Sequence, residues 1–184
     1  SDAFATSSAK IGSSDYSCPS SKIVPLSSNE SDLKTKISNF SADGCTAGHL
    51  GIAWAYYMLS PKWAPAWPDG SDPEAYDKAG MSKNAIIMTD GEFNTFESNG
   101  YSCSSSGTSM SETYALALCE AMKNQNIKIY SIAFKAGYAA ETLMKGCASS
   151  SAGQKLYYNA TDDETLTEAF EEIARDIKGL RLVN

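Results

Sequence analysis

The sequence has little positive charge and no long apolar run, and these two absences exclude several classes of function. Its 184 residues carry 15 lysines and arginines against 22 aspartates and glutamates, a net charge of −7. Nucleic-acid backbones and anionic lipid surfaces are bound by clustered basic residues, so neither is an expected partner. No apolar stretch approaches the roughly 20 residues that cross a bilayer. We therefore expect this segment to make no membrane contact.

The motifs of the common enzyme classes are also missing. The chain contains no G-x-S-x-G, no H-E-x-x-H and no glycine-rich phosphate loop ending in Lys-Ser or Lys-Thr. The run AIIMTD at residues 85–90 imitates the strand and aspartate of a nucleotide hydrolase, but without the phosphate loop a hydrolase is the weakest alternative. The sequence predicts a protein that is not an enzyme.

The five cysteines are isolated from one another, and this spacing indicates disulfides in an oxidising compartment. There is no C-x-x-C pair and a single histidine, so a structural zinc site is disfavoured. We favour a bridge between Cys119 and Cys147, since their predicted helices flank one strand. Cys45 and Cys103 form a second candidate pair that would join two loops, which leaves Cys18 over.

Hydrophobic periodicity predicts alternating strands and helices after an irregular, serine-rich segment at residues 1–21. This order predicts an α/β sandwich with a mostly parallel sheet over residues 22–184. The proline-rich stretch 60–82 is predicted to form no regular element. The predicted strands are 22–26, 85–88, 127–134 and 155–160, and the predicted helices are 29–40, 47–59, one begun by Ser111, 139–147 and one begun by a Thr161–Glu164 capping box.

Two helices are predicted from apolar stripes, and one strand carries a burial prediction. Leu33, Ile37 and Phe40 recur at helical spacing and form the first stripe. The final helix has the same kind of stripe, including Phe170. The strand 85–88 has no polar alternation, so it is predicted to be covered on both faces.

Asp90 follows that strand directly, and Thr46 stands at the start of a predicted helix. In open α/β sheets, ligands bind where the carboxyl ends of strands meet helix starts. A hydroxyl and a carboxylate are hard oxygen ligands suited to Mg²⁺, Mn²⁺ or Ca²⁺. The simpler alternatives are that Thr46 only caps its helix and that Asp90 with Gly91 only makes a tight turn.

Three segments resemble the later part of a von Willebrand factor type A domain, of the TadG-like kind found in Tad (Flp) pilus-assembly proteins. They are DGCTAGHLGIAWAYYMLSPKWAPAW (43–67), KNAIIMTDGEFNT (83–95) and LCEAMKNQNIKIYSIAF (118–134). The resemblance implies a three-layer α/β sandwich with a doubly wound, mostly parallel sheet. It also implies a metal-ion-dependent adhesion site, with Thr46 and Asp90 at its second and third ligand positions.

The family's first ligand motif, D-x-S-x-S, does not occur in these residues. Neither do its first strands, so the resemblance implies an open apolar sheet edge that residues before 22 or another copy of the chain would cover.

The function that the resemblance implies is a non-catalytic, adhesion-type module that binds a pilus or envelope protein. It would lie in the periplasm or at the cell surface, anchored through an upstream segment. The alternative is a purely structural domain with a vestigial metal site that contacts partners through its long loops. Trp63 and Trp67, in the proline-rich loop, are the interface candidates, while Tyr56 and Tyr57 are expected in the core.

Overall fold

The computed structural model describes residues 21–41, 46–95 and 105–179, and these form a mixed α/β fold. Helices and strands alternate through most of it, as the sequence predicts. The elements are α1 (Glu30–Ser38), α2 (Gly48–Leu59), a 3₁₀ helix (Pro61–Ala66), β1 (Asn84–Thr89), α3 (Ser105–Asn124), β2 (Lys128–Phe134), α4 (Tyr138–Cys147), β3 (Ser150–Ser151), β4 (Gln154–Lys155), β5 (Tyr157–Ala160) and α5 (Asp163–Gly179).

The main sheet has three parallel strands in the order β1-β2-β5. Residues of α2, α3 and α4 form one core with one face of this sheet, and α5 forms a second core on the other face. The prediction of an α/β fold with a parallel sheet and helices on both sides is therefore confirmed. The pair β3–β4 is a separate two-residue antiparallel hairpin.

Helix α3 supplies the centre of the larger core. Ala115, Leu118, Cys119 and Met122 are buried, as their spacing predicts. Ser111 is not the cap of this helix, however, because α3 already begins at Ser105 and Ser111 lies buried inside it.

Two predictions about the edges of the fold are wrong. Residues 22–26 form no strand, and the proline-rich stretch contains a 3₁₀ helix, since Pro61 fits the first turn of a helix. Helix α1 forms as predicted, and two residues of its apolar stripe are exposed, Ile37 by 62% and Phe40 by 63%.

Strand β1 is covered on one face only, contrary to the prediction from its apolar run. Ala85, Ile87 and Thr89 are buried, whereas Ile86 is 44% and Met88 49% exposed. Helix α5 packs on β5 and β2 and leaves these two side chains uncovered. An apolar run shows what a strand could bury, and the neighbouring elements decide what it does bury.

Helix α5 is capped one residue later than predicted. The Thr165 N–H donates to Asp162 Oδ1 at 2.8 Å, and the Asp162 N–H donates to Thr165 Oγ1 at 3.1 Å. This reciprocal pair replaces the predicted Thr161–Glu164 box. The bond from the Thr165 backbone lowers the pKa of the Asp162 carboxyl. Phe170, a member of the predicted apolar stripe of this helix, is exposed, so only part of that stripe is buried.

A disulfide joins Cys119 of α3 to Cys147 of α4, the pair that the sequence analysis favours. Both sulfurs lie in the larger core, so the bridge fixes two helices on the same face of the sheet. Cys18, Cys45 and Cys103 lie outside the described residues.

Candidate functional site

Strand β1 ends in a tight turn that presents the Asp90 side chain to solvent. The Thr89 hydroxyl donates to the Gly91 carbonyl at 2.8 Å and accepts from the Gly91 N–H at 3.3 Å. Thr89 is buried, so its side chain fixes the turn from within. Asp90, between them, is exposed. The turn that the simpler reading predicts is therefore present, and it holds a carboxylate at the carboxyl end of the sheet.

The Thr46 segment is hydrogen-bonded to the loop that follows Asp90. The Thr46 N–H donates to Asn94 Oδ1 at 2.9 Å, and the Thr95 N–H donates to the Thr46 carbonyl at 3.2 Å. The Thr95 hydroxyl also donates to Asn94 Oδ1, at 3.2 Å. Asn94 is 48 positions from Thr46 in sequence, so these bonds bring two distant loops to one corner of the molecule.

A close packing contact joins the same two loops. The first residue of α2, Gly48, lies against the ring of Phe93, which is buried. A Cβ at position 48 would stand 2.2 Å from ring atoms of Phe93, so a side chain there would push the two loops apart. Glycine is required at this point by the close approach and not by its backbone freedom.

Thr46 is not the cap of the helix that follows it. The N-cap of α2 is Ala47, which makes no side-chain capping bond. Within the described residues, Thr46 uses its backbone N–H and carbonyl, and no hydrogen bond there involves its hydroxyl. The Thr46 hydroxyl therefore does not act as the helix cap that the simpler alternative predicts.

Acidic side chains gather near the end of β1. Burial raises the pKa of the Glu112 carboxyl, and the carboxylate of Glu92 raises it further. Glu92 lies two residues after Asp90, and Glu112 comes from α3. The local potential is therefore negative, and a bound cation would be favoured there by charge.

The single histidine has a structural role at the α2–α3 interface. His49 is buried, and its Nδ1 lies 2.7 Å from Ser111 Oγ. The Tyr114 ring is also close, with ring centroids 6.3 Å apart. The two helices are thus linked by a buried polar contact.

The chemistry of the corner suits a hard cation but does not complete its coordination. Thr46 and Asp90 offer a hydroxyl and a carboxylate, the ligand types that Mg²⁺ and Mn²⁺ accept. No cluster of three or more His, Cys, Asp or Glu side chains suited to a metal occurs in residues 21–41, 46–95 and 105–179. A cation held by Thr46 and Asp90 would need further oxygens from water or from a partner.

Sequence reasoning missed the residues that hold the corner together. Asn94 and Phe93 stand in the segment EFNT directly after Asp90. A side-chain amide in a loop is a signal for backbone hydrogen bonding, but its partner 48 residues away could not be read from the pattern. The pairing of Gly48 with Phe93 likewise leaves no local trace.

Comparisons with known proteins identify no relative of this chain. No protein-family model matches it, and neither a curated protein nor a solved structure shows a significant similarity. Among the described helices, none combines the length and the apolar content needed to span a bilayer.

Proposed function

We propose that this chain is a non-catalytic protein-binding module, of the von Willebrand factor type A kind found in Tad pilus-assembly proteins. It binds its partner through a divalent cation at the Thr46–Asp90 corner. The observation that carries the proposal is the set of hydrogen bonds from Asn94 and Thr95 to Thr46. They bring the hydroxyl-bearing loop and the carboxylate-bearing loop together, as a shared cation requires.

In this proposal Thr46 and Asp90 supply two oxygen ligands, and Mg²⁺ is the first candidate, with Mn²⁺ and Ca²⁺ as alternatives. The bound cation supplies an electrophilic centre that attracts an acidic side chain of the partner. Asn94 holds the Thr46 backbone in place, and the Thr89 hydroxyl holds the turn that carries Asp90. Because the partner's carboxylate would complete the coordination sphere, metal and partner are expected to strengthen each other's binding.

The proposed location is the periplasm or the cell surface, with a pilus or envelope protein as partner. The Cys119–Cys147 disulfide supports an oxidising compartment. The net charge of −7 supports a protein partner and not a nucleic acid.

The cation site is tested by thermal unfolding in increasing Mg²⁺, Mn²⁺ and Ca²⁺. A cation that binds only the folded state raises the melting temperature in proportion to the logarithm of its concentration above Kd. We expect this rise in the wild type and its loss in Thr46→Val and Asp90→Asn. Asp69→Asn, which removes an exposed carboxylate elsewhere, is the matched control and should keep the response. A melting temperature that no cation changes, or that rises equally in all four proteins, contradicts the proposal.

A second candidate, a structural domain that assembles through its sheet edge, is favoured by the outer side of β1. The Lys128 N–H donates to the Lys83 carbonyl, so the backbone N–H and C=O groups of the odd-numbered residues of β1 point towards β2. The N–H and C=O groups of Ile86 and Met88 therefore point outward. Within the described residues no strand pairs with this edge. Such an edge is open to another strand.

The strand is self-complementary in one antiparallel register. With Ile87 on a two-fold axis, Ile86 of one copy lies opposite Met88 of the second, so both exposed apolar pairs meet on one face. The next pair is Asn84 with Asp90, which sets no like charges against each other. Self-association through β1 would cover the part of the sheet that α5 leaves open.

A further inference from the structure

All three tryptophans of the chain gather on one surface, which is formed by the second half of α2, the 3₁₀ helix and the residue that follows it. We call Trp54, Tyr57, Trp63 and Trp67 the aromatic surface. Tyr57 and Trp63 stack with ring centroids 4.0 Å apart and planes 18° apart. Trp54 meets Tyr57 edge-on at 5.7 Å and Trp67 edge-on at 6.2 Å. The four rings thus form one contiguous set of contacts.

The aromatic surface is fixed by hydrogen bonds as well as by stacking. The Trp67 Nε1–H donates to the Tyr57 carbonyl at 3.2 Å. The Trp63 N–H donates to the Ser60 carbonyl and the Trp67 N–H to the Ala64 carbonyl, each at 3.0 Å. A ligand would therefore meet rings that are already ordered, and binding would cost little conformational entropy.

Part of the aromatic surface remains open to solvent. Trp54 is 40% exposed, and the other three rings are half-buried. A group of large aromatic side chains that is partly exposed is typical of an interaction site. Trp54 is the ring that a partner can reach most directly.

The segment that follows Trp67 is acidic. Residues 68–78 contain four carboxylates and one lysine, a net charge of −3. Glu74 pairs with Lys78. In the described part of the chain, no ion pair involves the exposed carboxylates Asp69, Asp72 and Asp77. Asp69 lies in the turn closed by the Ser71 N–H to Pro68 carbonyl bond, two residues after Trp67.

Lys83 holds the acidic segment against the end of α2. Its Nζ donates to the carbonyl of Leu59 at 2.6 Å and to that of Glu74 at 2.5 Å. Lys83 is buried, so its ammonium group interacts with the protein's own carbonyls and does not face a partner. Lys62, exposed on the 3₁₀ helix, is an opposing charge nearby, and the acidic residues outnumber it.

We propose that the aromatic surface binds a basic, arginine-containing segment of a partner protein. A guanidinium group stacks on the face of a tryptophan such as Trp54, while the same group or its neighbour pairs with a carboxylate such as Asp69. Lysine would pair with the carboxylate but lacks the planar group that stacks.

The aromatic surface shares no residue with the proposed cation site. Thr46 precedes the first residue of α2, whereas Trp54 lies six residues after that first residue and Tyr57 lies in the last turn. Six residues of a helix span about 9 Å. The cation site attracts an acidic group and the aromatic surface a basic one.

The test uses the intrinsic tryptophan fluorescence of the whole protein, which reports on this surface alone because it contains every tryptophan. The probes are nine-residue peptides in which glycine alternates with arginine, with lysine or with glutamate. We expect a saturable change with the arginine peptide, about threefold to tenfold weaker binding of the lysine peptide and no binding of the glutamate peptide. Added salt should weaken the binding, since part of it is a charge interaction.

Variants then assign the binding to the named residues. Trp54→Ala, at an exposed position, should weaken arginine-peptide binding about tenfold, and the Asp69→Asn, Asp72→Asn double variant about threefold. Phe170→Ala removes an exposed aromatic ring on α5 and should change nothing. Calorimetry provides the second measurement for Trp54→Ala, since its fluorescence signal is reduced, and circular dichroism checks its fold.

The proposal would be overturned by no saturable change with the arginine peptide up to millimolar concentration, by equal binding of the glutamate peptide, or by unchanged affinity in Trp54→Ala. Saturable binding of a neutral oligosaccharide without binding of the arginine peptide would also overturn it and would assign the rings to sugar stacking.

Discussion

The two faces of the sheet differ in how completely they are covered. On one face α2, α3 and α4 close over β1 and β2, and the Cys119–Cys147 bridge lies inside that core. On the other face α5 packs on β2 and β5 only, and Ile86 and Met88 of β1 remain exposed. One face of β1 therefore contributes to the core, and the other leaves apolar side chains open to solvent.

The largest expected effect separates the two faces directly. Ile129 is fully buried on the closed face. The Ile129→Ala variant should have an unfolding free energy about 2–5 kcal/mol lower than the wild type, because the change leaves a cavity that no neighbouring side chain can fill. Ile86→Ala, on the open face, should cost less than about 1.5 kcal/mol. Chemical denaturation of both variants measures the difference. Equal losses would show that the open face is covered in solution.

Removal of the disulfide tests how much of the closed face depends on the link between α3 and α4. The bridge spans a sequence separation of 28, so the Cys119→Ala, Cys147→Ala variant should lose about 2–4 kcal/mol, chiefly because its unfolded chain is freer. Denaturant titration measures this loss. A variant as stable as the wild type would mean that helix packing alone holds this face.

A smaller effect is expected where α5 covers β2. The Tyr130 hydroxyl donates to Asp176 Oδ2 at 2.5 Å, and Tyr130→Phe should cost about 1–3 kcal/mol. Burial raises the pKa of Tyr130 above its ordinary value, and the bond to Asp176 adds to the rise.

The sign of the resulting pH dependence follows from this shift. Above about pH 10 the unfolded chain ionises its tyrosine while the folded chain keeps the proton, so stability falls as the pH rises. Tyr130→Phe should reduce this fall. Burial also raises the pKa of Tyr158, so this residue should preserve part of the fall in stability. An unchanged alkaline slope in Tyr130→Phe would show that the hydroxyl is already hydrated.

The smallest effect on stability, and the clearest on assembly, is expected at the edge of β1. Met88→Arg should change the unfolding free energy by less than about 0.5 kcal/mol, since Met88 is half exposed. It should nevertheless abolish any self-association of the wild type in light scattering, because it places a charge in the shared strand pair. Ile37→Arg, at a more exposed apolar site on α1, is the control. A dimer that persists in Met88→Arg contradicts pairing through β1.

The sequence predicted the elements whose packing is periodic. The buried face of α3 and the strand β2 followed from the residue pattern alone. That face of α3 packs in the core, and β2 is covered on both of its faces. Predictions failed where a neighbour decides the outcome. Periodicity reports that a residue can be buried and does not report what stands opposite it.

The candidate site shows the same division. Asp90 at the end of a strand and Thr46 before a helix could be read locally, as could the chemistry of a hydroxyl beside a carboxylate. The Asn94 bridge and the Gly48–Phe93 contact could not be read, because each joins loops that are far apart in sequence. The hydrogen bonds show how the Thr46 segment meets the loop that follows Asp90.

The most direct test of the cation-dependent account is the amount of Mn²⁺ that the protein removes from solution, measured from the electron paramagnetic resonance signal of free Mn²⁺. The account predicts one saturable site in the wild type that competes with Mg²⁺, weakened at least tenfold in Asp90→Asn and in Thr46→Val and kept in Asp69→Asn. A free-Mn²⁺ signal that does not fall as protein is added, or binding by Asp90→Asn equal to that of the wild type, would contradict it.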